Sequence, residues 1–572
     1  MTELTVTTER VDDTPLLMAH QGRMGIPRLL EESFDVHGNW QGLSFGWVAA
    51  GWLSHILSEA DHRMNHVQPW AARRIRALRA CTDQPVCDLD FSDDRLSIIL
   101  RTLSEDAQWA DFESRLNRNL LRVYALKGKT VRIDTTTCSG YWKINSDGLF
   151  QFGYSKDKRP DLSQVKVVLS TLDPLGMPVA TDVVSGNRAD DPLYIPAIRR
   201  VRDGLGEKGL LYIGDSKMGA METRAFAEDG GDYYLCPLSK TQLPEKTLET
   251  YLEPLWCEDQ ALTDVCREKV DGERVRIAEG YEREVERTAP MEGETVTWAE
   301  RHLVIRSLRQ ARAAETRLRK RLKKAVAALR ALNERGRGKK RYDSVAELRQ
   351  DAESLMEQHR VQGLLRVDYQ VISHAREVRK YGDRPARTVV DQEFRLTVEI
   401  DEAAVEKRLR RKGWRVYATN ASAEHLPLAQ AVLAYRSQYL VERGCGRLKG
   451  RPLSVTPMYL ERDDHATGLV RLLSIALRIL TSLEFLIRRR LAQEGAELAG
   501  LYAGNPTRST ARPTAERILE AFEHITLTVI RDPPRTLHHI TPLSSLQQRI
   551  LELLDFSPDI YTQLSADSSE LA

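Results

Sequence analysis

The stretch "KTVRIDTTT", residues 129–137, decides the fold, because its β-branched and apolar residues predict a buried strand that carries an aspartate, Asp134. Three later segments have similar strand composition. We predict that the first three of these four strands form an antiparallel meander. The later segments are "GLFQFGY" (148–154), "SQVKVVLSTLD" (163–173) and "MPVATDVVSG" (177–186).

Helix and strand patterns alternate after this meander. "DDPLYIPAIRRVRDGLG" (190–206) has helical spacing, and "GLLYIGD" (209–215) is a short apolar strand that ends on Asp215. A helix-like segment (221–231) and the strand "DYYLCPL" (232–238) follow. A meander followed by helix, strand, helix and strand predicts a mixed α+β fold with one sheet flanked by helices.

Different patterns surround this predicted core. Residues 14–126 are mainly helical in pattern, whereas residues 273–286, 294–307, 364–373 and 394–400 have strand patterns. Between these strands lies a predicted helical hairpin, whose first arm has apolar residues at the 4-3-4-3 spacing of a coiled-coil seam. The seam residues are Leu318, Leu322, Ala325, Leu329 and Leu332. We therefore predict a mainly helical N-terminal domain (1–126), a first part of the core (127–240), and a β-rich segment with the helical hairpin (241–393). A second part of the core (394–500) and a C-terminal helical region with a polar tail (501–572) follow.

Composition limits the class of protein. The 572 residues are 42% apolar and 29% charged, which is typical of a globular protein with two to four domains. The seven scattered cysteines predict neither a disulfide framework nor a structural zinc site. The polar N-terminus is unlike a signal peptide, and charged residues interrupt the apolar stretches near 44–57 and 469–487. We expect a cytoplasmic protein without a membrane partner.

The net charge of +2 hides a basic segment. From Arg306 to Arg341 the chain has 15 lysines and arginines but two acids. Such a segment indicates either a polyanionic partner or a solvated basic helix.

Three acids are candidate catalytic residues. Asp134 and Asp215 lie at the ends of predicted strands, where a carboxylate can face a cleft or can cap a turn. Glu442 belongs to "YRSQYLVERGCGRLKG" (435–450), which we predict to be part of one long helix. On such a helix Tyr435, Gln438, Glu442 and Lys449 share one face. A solvated surface helix is the alternative.

Several motifs in chain order resemble those of the DDE transposases of bacterial insertion sequences, in the group with a β-rich insertion between the second Asp and the Glu. The resemblance covers roughly residues 129–239 and 394–483 and is weaker in the N-terminal region. The matching text is "VRIDTTT", the segment from "GLFQFGY" to "SGNRADD", "LYIGDSKMG", "GWRVYATN" and "YRSQYLVERGCGRLKG".

The resemblance implies a ribonuclease-H-like catalytic core, interrupted by the β-rich insertion with its helical hairpin and preceded by a mainly helical N-terminal domain. It also implies that Asp134, Asp215 and Glu442 are both the catalytic acids and the metal ligands. The N-terminal domain is the default candidate for recognising the DNA ends, on position alone.

The family's helix signature, Tyr-x2-Arg-x3-Glu-x6-Lys, is matched except at Gln438, where arginine is expected. Glutamine can donate a hydrogen bond but carries no charge. Either Arg436 or Arg443 compensates for the lost phosphate contact, or activity is reduced. Further DNA-contact candidates lie in the loop "SKDKRPD", for which a charged turn is the alternative: Lys156, Lys158 and Arg159.

The resemblance implies chemistry on phosphodiesters. Three carboxylates suit two Mg²⁺ or Mn²⁺ ions, which stabilise the attacking and leaving oxygens of phosphodiester cleavage. We expect cut-and-paste transposition at terminal inverted repeats of double-stranded DNA, through hairpin ends, by a synaptic homodimer in the bacterial nucleoid. Trp256 and Trp298 are candidates for stacking on an extruded base, with insertion core as their alternative. The alternative functions are a structure-selective nuclease and a catalytically silent DNA-binding descendant.

Overall fold

The computed structural model describes residues 4–36, 38–269, 272–291, 293–336, 338–379, 387–532 and 535–565. The N-terminal part is mainly helical, and three tryptophans, at 52, 70 and 109, are fully buried in its core. Its elements are β1 (Thr5–Arg10), α1 (Thr14–Met24), α2 (Ile26–Ser33), α3 (Phe45–Glu59), α4 (Val67–Ala72), α5 (Ile75–Thr82), α6 (Asp93–Leu103) and α7 (Asp106–Tyr124).

The strand predicted from the opening stretch is the centre of the core sheet. It pairs antiparallel with the next strand along the chain and parallel with the strand that precedes Asp215. The elements here are β2 (Thr130–Gly140), β3 (Ser163–Leu172), β4 (Met177–Ser185), α8 (Tyr194–Leu205), β5 (Leu211–Ile213), α9 (Met221–Asp229) and β6 (Tyr233–Pro237).

The meander β2-β3-β4 lacks one predicted member. Residues 148–154 are not a strand, and Gln151 alone makes an isolated bridge with Gln164. The residues 163–172 of β3 pair directly with β2, so this segment does not lie between the two strands. It lies instead as a loop, in which Phe150 stacks on Trp142 at 3.9 Å between ring centroids and Tyr154 is exposed.

The insertion extends the core sheet. Strands of the insertion pair with the strand that follows it, and the nine strands run in the order β4-β3-β2-β5-β6-β12-β9-β8-β7. A separate antiparallel pair, β10-β11, lies beside the predicted helical hairpin, whose first arm buries its leucine seam. The elements are α10 (Glu245–Trp256), β7 (Thr263–Glu268), β8 (Arg274–Met291), β9 (Glu294–Ser307), α11 (Leu308–Ala331), α12 (Val345–Gln358), β10 (Leu365–Val378), β11 (Arg387–Ile400), α13 (Glu402–Arg410) and β12 (Trp414–Thr419).

The C-terminal part is less helical than predicted, because β-branched residues at 526–530 form a strand between β1 and a further strand. The order of this small sheet is β1-β15-β16, so a strand from the N-terminal part pairs with strands from the C-terminal part. The elements are α14 (Leu428–Arg436), α15 (Tyr439–Lys449), α16 (Asp463–Glu494), β13 (Leu498–Ala499), β14 (Ser509–Thr510), α17 (Ala515–Glu520), β15 (Thr526–Asp532), β16 (Arg535–Ile540), α18 (Ser545–Leu553) and α19 (Asp559–Thr562).

Each face of the core sheet is covered by helices. Alternation along β3 directs Val167 and Leu169 to the side of α15 and α16, and Val168 to the side of α8. The 32-residue α16 is buried along most of its length and packs on α6 and β4. Its buried Arg478 pairs with Glu113 of α7 at 2.6 Å, which compensates a charge that would otherwise be costly to bury. Among the described helices, none combines the length and apolar character needed to cross a membrane.

Candidate active site

Asp134 lies on β2, and Asp215 follows the neighbouring strand β5. Strands β2 and β5 are parallel, and Arg132 pairs with Ile213. Asp134 lies two residues after Arg132, within β2, and Asp215 lies two residues after Ile213, just beyond β5. Because neighbouring strands are about 4.8 Å apart and side chains repeat every two residues, the sheet register brings these carboxylates to the same place.

Glu442 approaches the same place from a helix. It lies in the first turn of α15, which packs across β2 and β3 through the buried residues Val441, Cys445 and Leu448. Burial raises the pKa of Asp134, and the negative charges of Asp215 and Glu442 raise it further, although Lys156 opposes them. Asp134 is therefore within electrostatic reach of both other acids.

The two aspartates are held by hydrogen bonds. Asp134 Oδ1 accepts from the Thr135 backbone N–H at 2.8 Å. Asp215 Oδ1 accepts from the Tyr194 hydroxyl and from the Lys217 N–H, both at 2.8 Å. Burial and the charge of Asp215 raise the pKa of Tyr194 well above its ordinary value, so this hydroxyl stays protonated and donates.

The donor set fits Mg²⁺ or Mn²⁺ in its chemistry, because all three candidate ligands are carboxylates and hard cations prefer oxygen. Among the described residues, no three His, Cys, Asp or Glu side chains stand close enough together to hold a metal ion as they are. Lys156 Nζ lies 3.8 Å from Asp134 Oδ1 and 3.7 Å from Asp190 Oδ2. This ammonium partly neutralises the carboxylate that a metal ion would bind.

The prediction of one long helix through residues 435–450 is wrong. Helix α14 ends at Arg436 and α15 begins at Tyr439, with Gln438 at its N-terminal cap. The backbone N–H groups of Ser437, Gln438 and Leu440 each bond to the carbonyl three residues earlier. These tighter turns break the regular helix, so Tyr435 and Glu442 belong to different helices.

Comparisons with known proteins identify the family. The sequence model "Transposase DDE domain" matches residues 120–479, more than half of the chain, and this range contains all three acids. The chain belongs to the DDE transposase family. The prediction made from the motifs is confirmed at this level.

The other comparisons are less informative. No curated protein matches the chain. Among solved structures, it is similar to a cryo-EM structure of the piggyBac transposase synaptic complex with hairpin DNA, with 8% identity and a TM-score of 0.33. That match covers 96% of this chain and 85% of the other, and it is too distant to carry an argument.

The transposase's predicted DNA-contact cations differ in their surroundings. Lys156 is tied to the core, since its ammonium donates to Thr135 Oγ1 at 2.6 Å. Arg159 makes a bidentate pair with Asp161, and Lys449 pairs with Asp157. Lys158 is exposed and makes no ion pair with any residue that the structure describes. Of these four, Lys158 is the one with a charge still available to a phosphate.

Tyr435 and Gln438 contact other residues of the core. The Tyr435 ring packs on Tyr417 at 4.7 Å between centroids, and burial raises its pKa. Gln438 Oε1 accepts a long hydrogen bond, 3.5 Å, from Arg132 Nη1. Arg132 is buried and makes a bidentate pair with Asp173 at 2.7 and 2.8 Å. A guanidinium from β2 therefore lies beside the position where the family signature expects one.

Neither arginine suggested as a substitute for the missing charge is free. Arg436 Nη2 donates to the Ile277 carbonyl at 3.1 Å and to Ser307 Oγ at 3.3 Å. Arg443 pairs with the buried Glu484 at 2.5 Å.

The aromatic residues suggested for base stacking are structural. Trp298 is 5% exposed, and its Nε1 donates to the Tyr234 hydroxyl at 2.9 Å. Trp256 is half-buried and packs with apolar residues of β8, β9 and β12. Their surroundings match the alternative interpretation, in which both belong to the insertion core.

Sequence reasoning missed three residues near the acids. Tyr194 was part of a helical pattern and gave no separate signal. Asp190 was not singled out as a site residue, yet it accepts a hydrogen bond from Lys166 at 2.7 Å. Burial raises the pKa of Asp190, but Lys166 and Lys156 outweigh this and hold it low. Arg132 gave a usable signal, because it lies two residues before Asp134 and strand alternation puts both side chains on one face.

Proposed function

We propose that this DDE transposase cleaves DNA at the terminal inverted repeats of a bacterial insertion sequence and joins the freed ends to target DNA. The observation that supports the proposal is that the charges of Asp215, which follows the neighbouring strand, and of Glu442, on α15, both act on Asp134 of β2. The strand order β4-β3-β2-β5-β6, with β2, β5 and β6 parallel, supports a ribonuclease-H-like core for these acids.

In this mechanism Asp134, Asp215 and Glu442 would hold two Mg²⁺ or Mn²⁺ ions. Bound metal ions would supply an activated water and charge stabilisation at the leaving oxygen. Tyr194 orients Asp215 through its hydroxyl, and the Thr135 N–H orients Asp134. Lys156 balances the charge of Asp134 before the site is loaded. A synaptic homodimer on double-stranded DNA, hairpin ends and a location in the bacterial cytoplasm complete the proposal.

Cleavage of an end-containing duplex tests it. The purified chain with Mg²⁺ or Mn²⁺ is expected to nick at the boundary of the element, and Asp134→Asn, Asp215→Asn and Glu442→Gln each abolish nicking. The exposed acids Asp203 and Glu424 provide the matched controls Asp203→Asn and Glu424→Gln, which retain full activity. Cleavage that survives all three active-site changes would remove the assignment.

The same assay separates the alternatives. Nicking without strand transfer would favour a structure-selective nuclease. Binding of the ends with no cleavage under either metal would favour a catalytically silent descendant.

A further inference from the structure

Helix α11 presents a row of positive charges opposite its buried seam. Leu318, Leu322, Ala325 and Leu329 are buried and share one side of the helix. At about 100° per residue, six exposed cations lie within about 60° of the opposite side. They are Arg309, Arg312, Lys320, Lys323, Lys324 and Arg330, which we call the cationic stripe.

The cationic stripe has no acidic partners. None of its members makes an ion pair with a described residue, and the acid of α11, Glu315, lies off the stripe beside Arg319. Nearby cations of the same insertion are paired: Arg335 with Glu393 at 3.1 Å and Lys340 with Asp351 at 2.8 Å. The absence of partners is therefore a local property, and binding of a polyanion would relieve the repulsion among these cations.

The residues between these cations are small. Ala313, Thr316, Ala327 and Ala331 share the stripe's side of the helix. A surface of flexible cations over short side chains allows a polyanion to approach closely along the helix. From Arg309 to Arg330 the stripe is about 31 Å long, which matches about nine base pairs of B-form DNA.

The stripe begins next to the catalytic segment. Ser307, the N-terminal cap of α11, accepts a hydrogen bond from Arg436, which lies six residues before Glu442. The charges of Arg309 and Arg267 act on Arg436, so these three guanidiniums form one positive region. The row of charge thus runs outward along α11 from the end of α14, the helix that precedes the one carrying Glu442.

We propose that the cationic stripe binds the phosphate backbone of duplex DNA that flanks the cleavage site. This inference rests on the proposed function, because it assigns the stripe to the substrate of that site. Backbone binding of this kind is independent of sequence and weakens steeply as salt rises.

Salt-dependent binding tests the inference without cleavage. The experiment measures how the wild-type chain and the variant R312Q/K320Q/K323Q/K324Q bind a fluorescent 40-base-pair duplex of mixed sequence. The measurements are made in EDTA at several NaCl concentrations. Each phosphate contact contributes about 0.9 to the slope of log K against log salt, so the variant is expected to lose about 3 to 4 units of slope. Its affinity at low salt is expected to fall at least about tenfold.

The matched control removes the same net charge from paired cations of the insertion, in the variant R335Q/K339Q/K340Q/R366Q. It is expected to bind within about twofold of the wild type. Circular dichroism and thermal unfolding verify that both variants fold. A stripe variant with the wild-type slope, or a control with an equal loss, overturns the inference.

Two further outcomes separate this inference from the proposed function. If the stripe variant binds DNA with the same salt dependence as the wild type, the assignment of the stripe alone is overturned. If cleavage survives the active-site changes, the proposed function alone is overturned. Binding of poly-glutamate that depends on the stripe, with DNA binding unaffected, would assign the stripe to an acidic protein and also overturn the inference.

Discussion

Arg132 Nη1 lies 3.5 Å from Gln438 Oε1, so a buried guanidinium of β2 contacts the residue that replaces the signature arginine of the family. Asp173 already neutralises Arg132. A second guanidinium at position 438 would lie beside the first, and Glu442, one helical turn away, would be the carboxylate within its reach. The departure from the family signature is therefore coupled to Arg132.

The first prediction concerns Gln438→Arg. This change is expected to lower the cleavage rate by about tenfold and to lower the melting temperature, because like charges in a buried setting are unfavourable. The measurement is single-turnover nicking together with thermal unfolding. The double variant R132Q/Q438R is expected to cleave faster than Q438R alone. Higher activity in Q438R than in the wild type would contradict the coupling.

The second prediction concerns Tyr194→Phe. Loss of a hydrogen bond to a charged carboxylate costs about 1.5–3 kcal/mol, so cleavage is expected to slow by about tenfold to a hundredfold. Binding of DNA should not change, since Tyr194 is buried.

A matched variant controls for loss of a buried hydroxyl. Tyr561→Phe removes a hydroxyl that donates to the Asp12 carbonyl at 3.0 Å, far along the chain from the acids. It is expected to lower stability but not the cleavage rate of the folded protein. Equal cleavage by the wild type and Tyr194→Phe would show that Asp215 needs no such positioning.

Sequence reasoning placed Asp215 better than Asp134. Both were predicted at strand ends; Asp215 follows the end of β5, whereas Asp134 lies within β2, which continues to Gly140. The parallel pairing of β2 with β5 puts the two residues on neighbouring strands. The break at Ser437 was not predictable, because no proline or glycine marks it and its cause is a change in hydrogen-bond spacing. The extension of the core sheet by β7, β8 and β9 depends on pairing over long sequence distances, which local strand patterns do not encode.

The third prediction separates the two glycines of α15. A methyl group at Gly446 meets nothing within 4 Å, whereas one at Gly444 would lie 3.1 Å from Leu169 Cδ2 on β3. Gly446→Ala is therefore expected to stabilise the protein by about 1 kcal/mol, the difference in helix propensity. Gly444→Ala should stabilise the protein less, because α15 must shift away from the sheet to accommodate the methyl group. Thermal or denaturant unfolding compares the two, and an equal gain at both positions would exclude close packing at Gly444.

The fourth prediction concerns the pH dependence of stability. His20 on α1 is fully buried, and its Nε2 lies 2.7 Å from Ser482 Oγ on α16. Burial, aided by the charge of Arg23, lowers the pKa of His20 to about 3. Between the unfolded value of about 6.5 and this folded value, the unfolded chain binds a proton that the folded chain does not. Stability from this group is therefore complete above about pH 6.5 and falls as pH decreases.

At pH 5.5 the loss from His20 is about 1.4 kcal/mol relative to pH 7.5. His20→Gln cannot take up a proton, so its melting temperature is expected to fall less than that of the wild type between pH 7.5 and pH 5.5. The exposed His539 supplies the control His539→Gln, which should keep the wild-type pH dependence. If the melting temperatures of the wild type, His20→Gln and His539→Gln fall equally between pH 7.5 and pH 5.5, the contact between α1 and α16 tolerates a charged imidazole.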